Sequence, residues 1–297
     1  MPVVSQCSRT VRLTATLRLE LVTQIVGIVL ARDEDVWVEQ AVSSVIEFCD
    51  RLILCDHRSR DRTSAILRGL ACEHEHLSYI RIRDPKASHD SIKSLAGSNT
   101  WVLSADADEI YDRERLAAFR LRLLAGDFDE WWAIRLSMLH CAAVDFDGRT
   151  ATGWLAPPDR SGTKLFNFAA ISAWNGPVTQ RLHGGMPVFR PSRTNVVYHV
   201  GEHHSWDESP FRCLHVCFMR RSSCAPKREF ARQSYGDRLS AGWARRVWFD
   251  IERLAGRPHA SWWKVEKYAR GDLVTVPVDR FLPAERRGRE IGAILDK

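Results

Sequence analysis

Four apolar runs, separated by a segment of helical periodicity and by polar loops, dominate the first third of the chain. The run 24–31 is continuous and β-branched, as in a strand covered on both faces. Apolar residues in the next segment recur at helical spacing: Trp37, Ala41, Val45 and Phe48. Three further runs have the length of strands: 51–56, 78–83 and 100–104. This rhythm predicts an α/β fold with a doubly wound, mostly parallel sheet.

The rest of the chain alternates less regularly. It predicts a helix at 113–124, a strand at 130–140, a long loop at 145–162 and strands at 164–172 and 195–200. A helical stripe in the C-terminal quarter consists of Trp243, Val247, Ile251 and Leu254. We therefore expect a loosely attached leader at 1–23, an α/β domain at 24–218 and a helical extension at 219–297.

Acidic residues lie where the predicted strands end. Asp56, Asp84 and Asp106 hold such positions, and parallel strands present these ends to one ligand-binding edge. Asp106 and Asp108 are two positions apart, so both carboxylates can reach one hard cation such as Mg²⁺ or Mn²⁺. The alternative is that 106–109 only caps the next helix. The buried run before these acids and the other acidic strand ends favour the metal site.

Composition and charge narrow the class of protein. Hydrophobic residues make up 45% and charged residues 27%, as in globular proteins. No apolar run approaches the roughly 20 residues that span a bilayer, and arginines interrupt the first 19, so we expect a cytoplasmic protein. The net charge of +6 comes from residues 219–297. This basic end is a candidate for peripheral contact with an anionic membrane, whereas nucleic acid is not an expected partner.

The eight cysteines have no regular spacing and predict reduced thiols. One group offers soft ligands within a short stretch: Cys213, His215, Cys217 and Cys224. A strand with one packed face gives the same alternation, and the spacing is not one of the common zinc-finger spacings. We expect packing there, with a zinc site as the alternative.

Three motifs in the first 112 residues resemble those of one enzyme family. The first strand ends in Ala31-Arg-Asp-Glu-Asp35, and the second opens into Asp56-His-Arg-Ser-Arg-Asp-Arg-Thr63. The fourth carries Trp101-Val-Leu-Ser-Ala-Asp-Ala-Asp-Glu109. Their order and spacing resemble a family 2 type glycosyltransferase of the GT-A fold, which binds a nucleotide sugar through an Asp-x-Asp motif. An isolated Asp-x-Asp is a weak signal, but three motifs in register are a strong one.

The resemblance implies a nucleotide-sugar half at about 24–112 and an acceptor half at about 113–218. It implies a nucleotide pocket lined by Ala31, Arg32, Glu34, Asp56 and Ala105. Asp106 would contact the ribose and the metal, and Asp108 would bind the Mg²⁺ or Mn²⁺ that bridges the diphosphate. Arg58 or Lys93 would meet phosphate. Ser59, Asp61 and Thr63 would shape the loop and cap the second helix.

The acceptor half matches less closely. Related enzymes carry an acid that deprotonates the acceptor, but Gln180 stands at the corresponding position and cannot accept a proton as a carboxylate does. Glu202 and His183 are the leading candidates for the catalytic base, followed by Asp145 and Asp159. The family also uses a late histidine as a third metal ligand; His215 fits this segment better than His199.

The resemblance implies an inverting glycosyltransferase that moves a sugar from a nucleotide diphosphosugar, most commonly a UDP-sugar, to an acceptor. The acceptor could be a small molecule, a glycan or a peptide. A second hypothesis is a degenerate GT-A binding protein whose basic tail contacts nucleic acid or an anionic membrane. A third is a nucleotidyltransferase of related fold, which would release pyrophosphate.

Overall fold

The computed structural model describes residues 22–85, 87–156, 162–175, 186–225, 262–282 and 288–291, together with residues 244, 247, 248 and 251. Its strands, in chain order, are β1 (Gln24–Ala31), β2 (Arg51–Asp56), β3 (Leu77–Arg81), β4 (Thr100–Asp106), β5 (Glu109–Tyr111), β6 (Ala133–Arg135), β7 (Ser137–Asp145), β8 (Thr150–Leu155), β9 (Thr163–Asn167), β10 (Ile171–Asn175), β11 (Met186–Phe189), β12 (Val197–His199), β13 (Arg212–His215), β14 (Val274–Pro277) and β15 (Arg289–Ile291). Its α-helices are α1 (Val38–Ser43), α2 (Thr63–Glu73), α3 (Ala87–Asp90), α4 (Arg113–Leu124), α5 (Val200–His203) and α6 (Trp262–Tyr268). Short 3₁₀ helices cover Ile46–Phe48, Lys93–Leu95 and Phe168–Ala170.

The larger sheet has seven strands in the order β12-β6-β9-β4-β1-β2-β3. Strand pairs β1–β2, β1–β4, β2–β3 and β12–β6 are parallel, while β9 runs antiparallel to both its neighbours. The predicted α/β class with a mostly parallel sheet is therefore confirmed. From β1 the chain continues to β2 and β3 on one side, but β4 lies on the other side of β1. The strand order thus reverses between β1 and β4, and such a switch opens a crevice at the carboxyl edge.

A second sheet has the strand order β14-β8-β7-β13-β5, with β15 also paired to β7, and β10 and β11 form a separate antiparallel pair. Strand β13 lies between β5, to which it is antiparallel, and β7, to which it is parallel. Strand β13 therefore lies directly beside β5, the strand that follows the Asp-x-Asp motif, although the two are about 100 residues apart in sequence.

The predicted elements of the first half are reproduced, because their apolar faces are buried. The stripe residues Trp37, Ala41, Val45 and Phe48 are all buried, although α1 ends at Ser43 and a 3₁₀ turn follows. Helix α4 has the predicted bounds. Its N-cap Asp112 accepts a hydrogen bond from the Arg115 backbone N–H at 3.1 Å, which satisfies one of the unpaired donors of the first turn.

Two predictions for the middle of the chain are wrong. The segment 145–162 is not one long loop, because 150–155 forms β8. Asp145 Oδ1 accepts the backbone N–H groups of Asp147 and Gly148, and the tight turn that results sends the chain back along β7. The strand expected at 130–140 is two strands, since the chain leaves the larger sheet after β6 and enters the second sheet as β7.

The C-terminal part contributes helix and strand. Helix α6 lies in the predicted helical region, but β14 and β15, which the sequence pattern did not predict, pair with β8 and β7. Of the predicted C-terminal stripe, Val247 and Ile251 are helical and exposed, while Trp243 and Leu254 lie outside the described residues.

Among the described residues, none belongs to a helix long and apolar enough to cross a membrane. The cysteines in the same part of the chain are free thiols, and Cys49 and Cys55 are buried as expected of packing residues. Burial raises the pKa of the Cys55 thiol to about 12, so it stays protonated and inert at neutral pH.

Candidate active site

The carboxyl ends of β1, β2 and β4 meet at one edge of the larger sheet. Ala31 pairs with Asp56 of β2, and the preceding Leu30 pairs with Asp106 of β4. Asp56 is fully buried, and Asp106 and Asp108 are nearly so. Strand register therefore places the first and third motifs side by side at the switch point between β1 and β4.

The second motif joins the loops that follow β1 and β2. Ser59 Oγ accepts the Asp33 backbone N–H at 3.0 Å, and Thr63 Oγ1 accepts that of Glu34 at 2.7 Å. Asp56 Oδ1 accepts the Ser59 backbone N–H at 2.9 Å, and its Oδ2 accepts the hydroxyl of Tyr79. Ser59 and Thr63 thus shape the loop, and the Asp56 carboxylate is held in a fixed orientation.

A buried lysine neutralises two acids of the third motif. Lys164 Nζ lies 2.8 Å from Asp106 Oδ2 and 2.6 Å from Glu109 Oε1. The other oxygen of Glu109 accepts the Asp106 backbone N–H at 3.1 Å and the Tyr111 hydroxyl at 2.9 Å. Burial raises the pKa of Glu109, although Lys164 opposes this effect. Glu109 therefore holds the Asp106 turn together rather than facing the crevice.

Asp108 faces a different set of groups. Its Oδ2 is in contact with Arg221 Nη1 and lies 3.5 Å from His215 Nε2. Arg221 Nη1 is also 3.5 Å from Glu34 Oε1. Burial alone would raise the pKa of Asp108, but Arg221, His215 and Lys264 outweigh it and hold the pKa well below its usual range. Asp108 is therefore a carboxylate at neutral pH.

His215 reaches Asp108 because β13 is paired with β5. His215 is opposite Glu109 on one side and opposite His140 of β7 on the other. Its Nδ1 lies 2.8 Å from His140 Nδ1. Burial alone would lower the pKa of His215, but Cys217 and Asp108 raise it to about 10. Of the two predicted histidines, His215 is the one that the structure brings to Asp108.

The other predicted site residues are spread around this centre. Ala31 and Ala105 are buried in the sheet, and Arg32 Nη1 is 3.5 Å from His57 Nδ1 at the edge. Arg58 is exposed with a positive φ of 54°, and Lys93 is exposed and paired with Asp90.

The acceptor-side candidates lie away from Asp108 or outside the described residues. Strand β12, which carries His199, is three strands from β4, or roughly 14 Å at usual strand spacing. Glu202 is exposed and 3.2 Å from His199 Nδ1. His183 and Gln180 lie outside the described residues.

Sequence reasoning missed four residues around the site: Lys164, Arg221, His140 and Lys264. Lys164 did give a signal, because a lysine within the apolar strand Thr163–Asn167 needs a buried partner. The other three reach the site only through pairing of the second sheet and docking of α6, which no local pattern reveals.

No protein-family model matches this sequence, and no curated protein matches it. Solved structures similar to it include the mannosyltransferase PcManGT from Pyrobaculum calidifontis in complex with GDP-Man and Mn²⁺. That structure is 16% identical, with a TM-score of 0.36 over 61% of this chain and 58% of that one. Another is glucosyl-3-phosphoglycerate synthase from Mycobacterium tuberculosis in complex with Mn²⁺ and UDP-glucose, 15% identical, with a TM-score of 0.29 over 47% and 49%. The chain thus matches about half the length of each.

Proposed function

We propose that this chain is a metal-dependent glycosyltransferase of the GT-A type that takes its sugar from a nucleotide diphosphosugar. The observation that carries the proposal is the meeting of the Asp108 carboxylate and the His215 imidazole, 3.5 Å apart. They meet just beyond the carboxyl end of β4, beside the switch point where doubly wound sheets bind ligands.

The two side chains fit a divalent cation of the Mg²⁺ or Mn²⁺ class. Carboxylate oxygen and imidazole nitrogen are both ligands for Mn²⁺, and carboxylate oxygen also suits Mg²⁺. Octahedral bonds of about 2.1 Å place neighbouring ligand atoms about 3 Å apart, close to the separation observed here. Asp106, held by Lys164, is the proposed ribose contact and a second carboxylate beside the cation. When bound, the cation would neutralise the charge of the diphosphate leaving group.

Arg221 and Lys264 are the proposed partners of the diphosphate. Both side chains are buried, and both act on the charge of Asp108. Once a cation neutralises Asp108, the guanidinium of Arg221 would pair with phosphate oxygens, for which its planar donor group is well suited. Ala31, Arg32, Glu34, Asp56 and Ala105 lie along the same edge and are the proposed lining of the nucleotide pocket.

In the proposed reaction an acceptor hydroxyl attacks the anomeric carbon, and a new carbon–oxygen bond forms as the bond to the diphosphate breaks. The nucleotide diphosphate leaves with the bonding electrons, and a base takes the acceptor proton. The inverting course, the UDP preference and the choice of Glu202 or His183 as base remain predictions.

Turnover of UDP-, GDP- and dTDP-sugars with Mn²⁺ and with a chelator tests the proposal. We expect turnover only with a divalent cation, and a loss of at least about 100-fold in Asp108→Asn, because one metal ligand is weakened. Asp127→Asn is the matched control, since it makes the same change in an exposed ion pair with Arg122.

Three results would contradict the proposal. Full activity in Asp108→Asn, or with chelator, would remove the metal role. Release of pyrophosphate in place of nucleotide diphosphate would identify a nucleotidyltransferase. Binding of anionic vesicles without turnover of any sugar would favour the degenerate binding protein.

A further inference from the structure

His140 and His215 are joined in a row across the second sheet. Glu109, His215 and His140 are consecutive partners on β5, β13 and β7, so their side chains lie on one face. The row leads from the acidic motif into the interior: the His215 side chain is 12% exposed, and His140 is fully buried. A fully buried imidazole next to a proposed metal ligand suggests that His140 acts on His215.

The contact between the two rings is between like atoms. The Nδ1 atoms of His140 and His215 are 2.8 Å apart, a hydrogen-bond distance. Two nitrogens at this distance share one hydrogen, so one ring donates and the other accepts. If His215 donates from Nδ1, Nε2 is the ring nitrogen that can bind a cation: in the metal-free chain Nε2 carries a hydrogen and faces the Asp108 carboxylate, and a cation bound there would take the place of that hydrogen. If His140 donates, Nε2 of His215 carries a hydrogen and cannot bind a metal.

Two contacts hold the His140 ring in place, and a third constrains its backbone. It stacks on Tyr268 of α6, with ring centroids 4.2 Å apart and planes inclined by 19°. Cys217 Sγ lies 4.0 Å from His140 Nδ1. On the backbone side, Gly153 of β8 approaches so closely that a Cβ there would lie 2.3 Å from the His140 carbonyl oxygen. The position of the ring is therefore set by three separate segments of the chain.

We propose that His140 is a positioning residue: it accepts the Nδ1 hydrogen of His215 and thereby makes Nε2 the nitrogen of His215 that binds the cation beside Asp108. The inference rests on the proposed function, because it requires that cation. Metal-binding histidines generally donate their second ring nitrogen to a fixed acceptor, which sets the tautomer and ring orientation. Here Nδ1 of His140 would be that acceptor.

The same three side chains also admit a different use. The ligand atoms of His140, His215 and Cys217 all lie within 4.8 Å of one another, a spacing that a soft metal such as Zn²⁺ could close. The 3.5 Å contact of His215 Nε2 with Asp108 favours the hydrogen-bonded arrangement, because it leaves His215 Nδ1 for His140.

Mn²⁺ titration of the whole chain, followed by the electron paramagnetic resonance signal of free Mn²⁺, tests the proposal without using activity. His140→Phe keeps a ring against Tyr268 but removes both nitrogens, and we expect Mn²⁺ affinity to fall by about 10- to 100-fold. His140→Gln, which retains an acceptor, should recover most of that loss. Tyr268→Phe, which retains the stacking ring, should bind Mn²⁺ like the wild type.

If His140→Phe does not fold, a measurement on the unaltered protein still tests the proposal. In ¹⁵N-histidine-labelled protein saturated with Mg²⁺, the Nδ1 of His215 should carry the hydrogen and show coupling to His140. An unprotonated His215 Nδ1 would overturn the proposal.

The remaining outcomes separate this inference from the proposed function. Unchanged affinity in His140→Phe, together with weakened binding in Asp108→Asn, would overturn the role of His140 alone. Failure of the wild type to bind Mn²⁺ would overturn both. One Zn²⁺ per purified chain, lost in Cys217→Ser as well as in His140→Phe, would make His140 a ligand and refute its positioning role.

Discussion

Replacement of Lys164 by methionine removes the only described cation that bridges Asp106 and Glu109. Nζ contacts both carboxylates within 2.8 Å, and the Lys164 side chain is 3% exposed. Loss of one partner from a buried ion pair leaves an uncompensated buried charge, which costs about 3–5 kcal/mol. Methionine has similar length and no charge, so little of this loss would come from packing. We expect a decrease of that size in the free energy of unfolding at pH 7.

Urea unfolding followed by far-ultraviolet circular dichroism measures this change. Lys93→Met is the matched control, because Lys93 pairs with Asp90 in a bridge whose side chains are 60% and 67% exposed. Exposed pairs contribute about 0–1 kcal/mol, so the control should unfold almost like the wild type. The double variant Lys164→Met/Glu109→Gln should recover part of the loss, since it removes one of the two stranded charges.

The effect should also depend on pH with a definite sign. Burial raises the pKa of Glu109, so the folded chain holds this proton more tightly than the unfolded chain does. Stability that depends on Glu109 is then greater below its folded pKa and is lost as pH rises through it. Without Lys164 the pKa of Glu109 rises further, so this dependence on pH becomes stronger. The loss of unfolding free energy in Lys164→Met, relative to the wild type, should therefore become smaller as the pH falls. A deficit below about 1 kcal/mol at pH 7, unchanged at pH 5, would refute the buried-bridge interpretation.

Two further predictions concern stability. The buried ring of His89 stacks on Trp174, and burial lowers its pKa to about 4, so stability should fall by about 2–3 kcal/mol as pH drops from 6.5 to 4. His89→Phe should remove that component of the pH profile, and an unchanged profile would contradict the assignment. A Cβ on Gly153 would lie 2.3 Å from the His140 carbonyl oxygen, so Gly153→Ala should cost about 1–3 kcal/mol in urea unfolding. Gly69→Ala, on an open helix surface, should be neutral or stabilising, and equal effects in the two variants would count against this packing.

The first half of the fold was predictable because its information is local. Continuous apolar runs specify strands buried on both faces, and the parallel register that follows places Asp56 and Asp106 at one edge. The bounds of α4 were predictable for the same reason, since Asp112 caps it within the segment itself.

The position of the acidic motif could therefore be predicted from the sequence, but the basic residues that pair with it could not. Lys164 and Arg221 lie 58 and 113 residues along the chain from the carboxylates that they contact. Likewise, β8 was hidden because the Asp145 turn made the segment resemble a loop, whereas pairing with β7 determines its conformation. Tertiary pairing, rather than local propensity, decided these positions.

The long separation between Asp108 and Arg221 has a consequence for biosynthesis. At about 5–20 residues per second, the Asp108 carboxylate emerges roughly 6–23 s before the guanidinium that contacts it. Strands β1 to β4 can pair during this interval, since their partners are already made. The turn after β4 cannot close at that stage, because its carboxylates would be buried without Lys164 or Arg221. We therefore expect a nascent chain in which the edge formed by β1, β2 and β4 is ordered early and the surroundings of Asp108 form last.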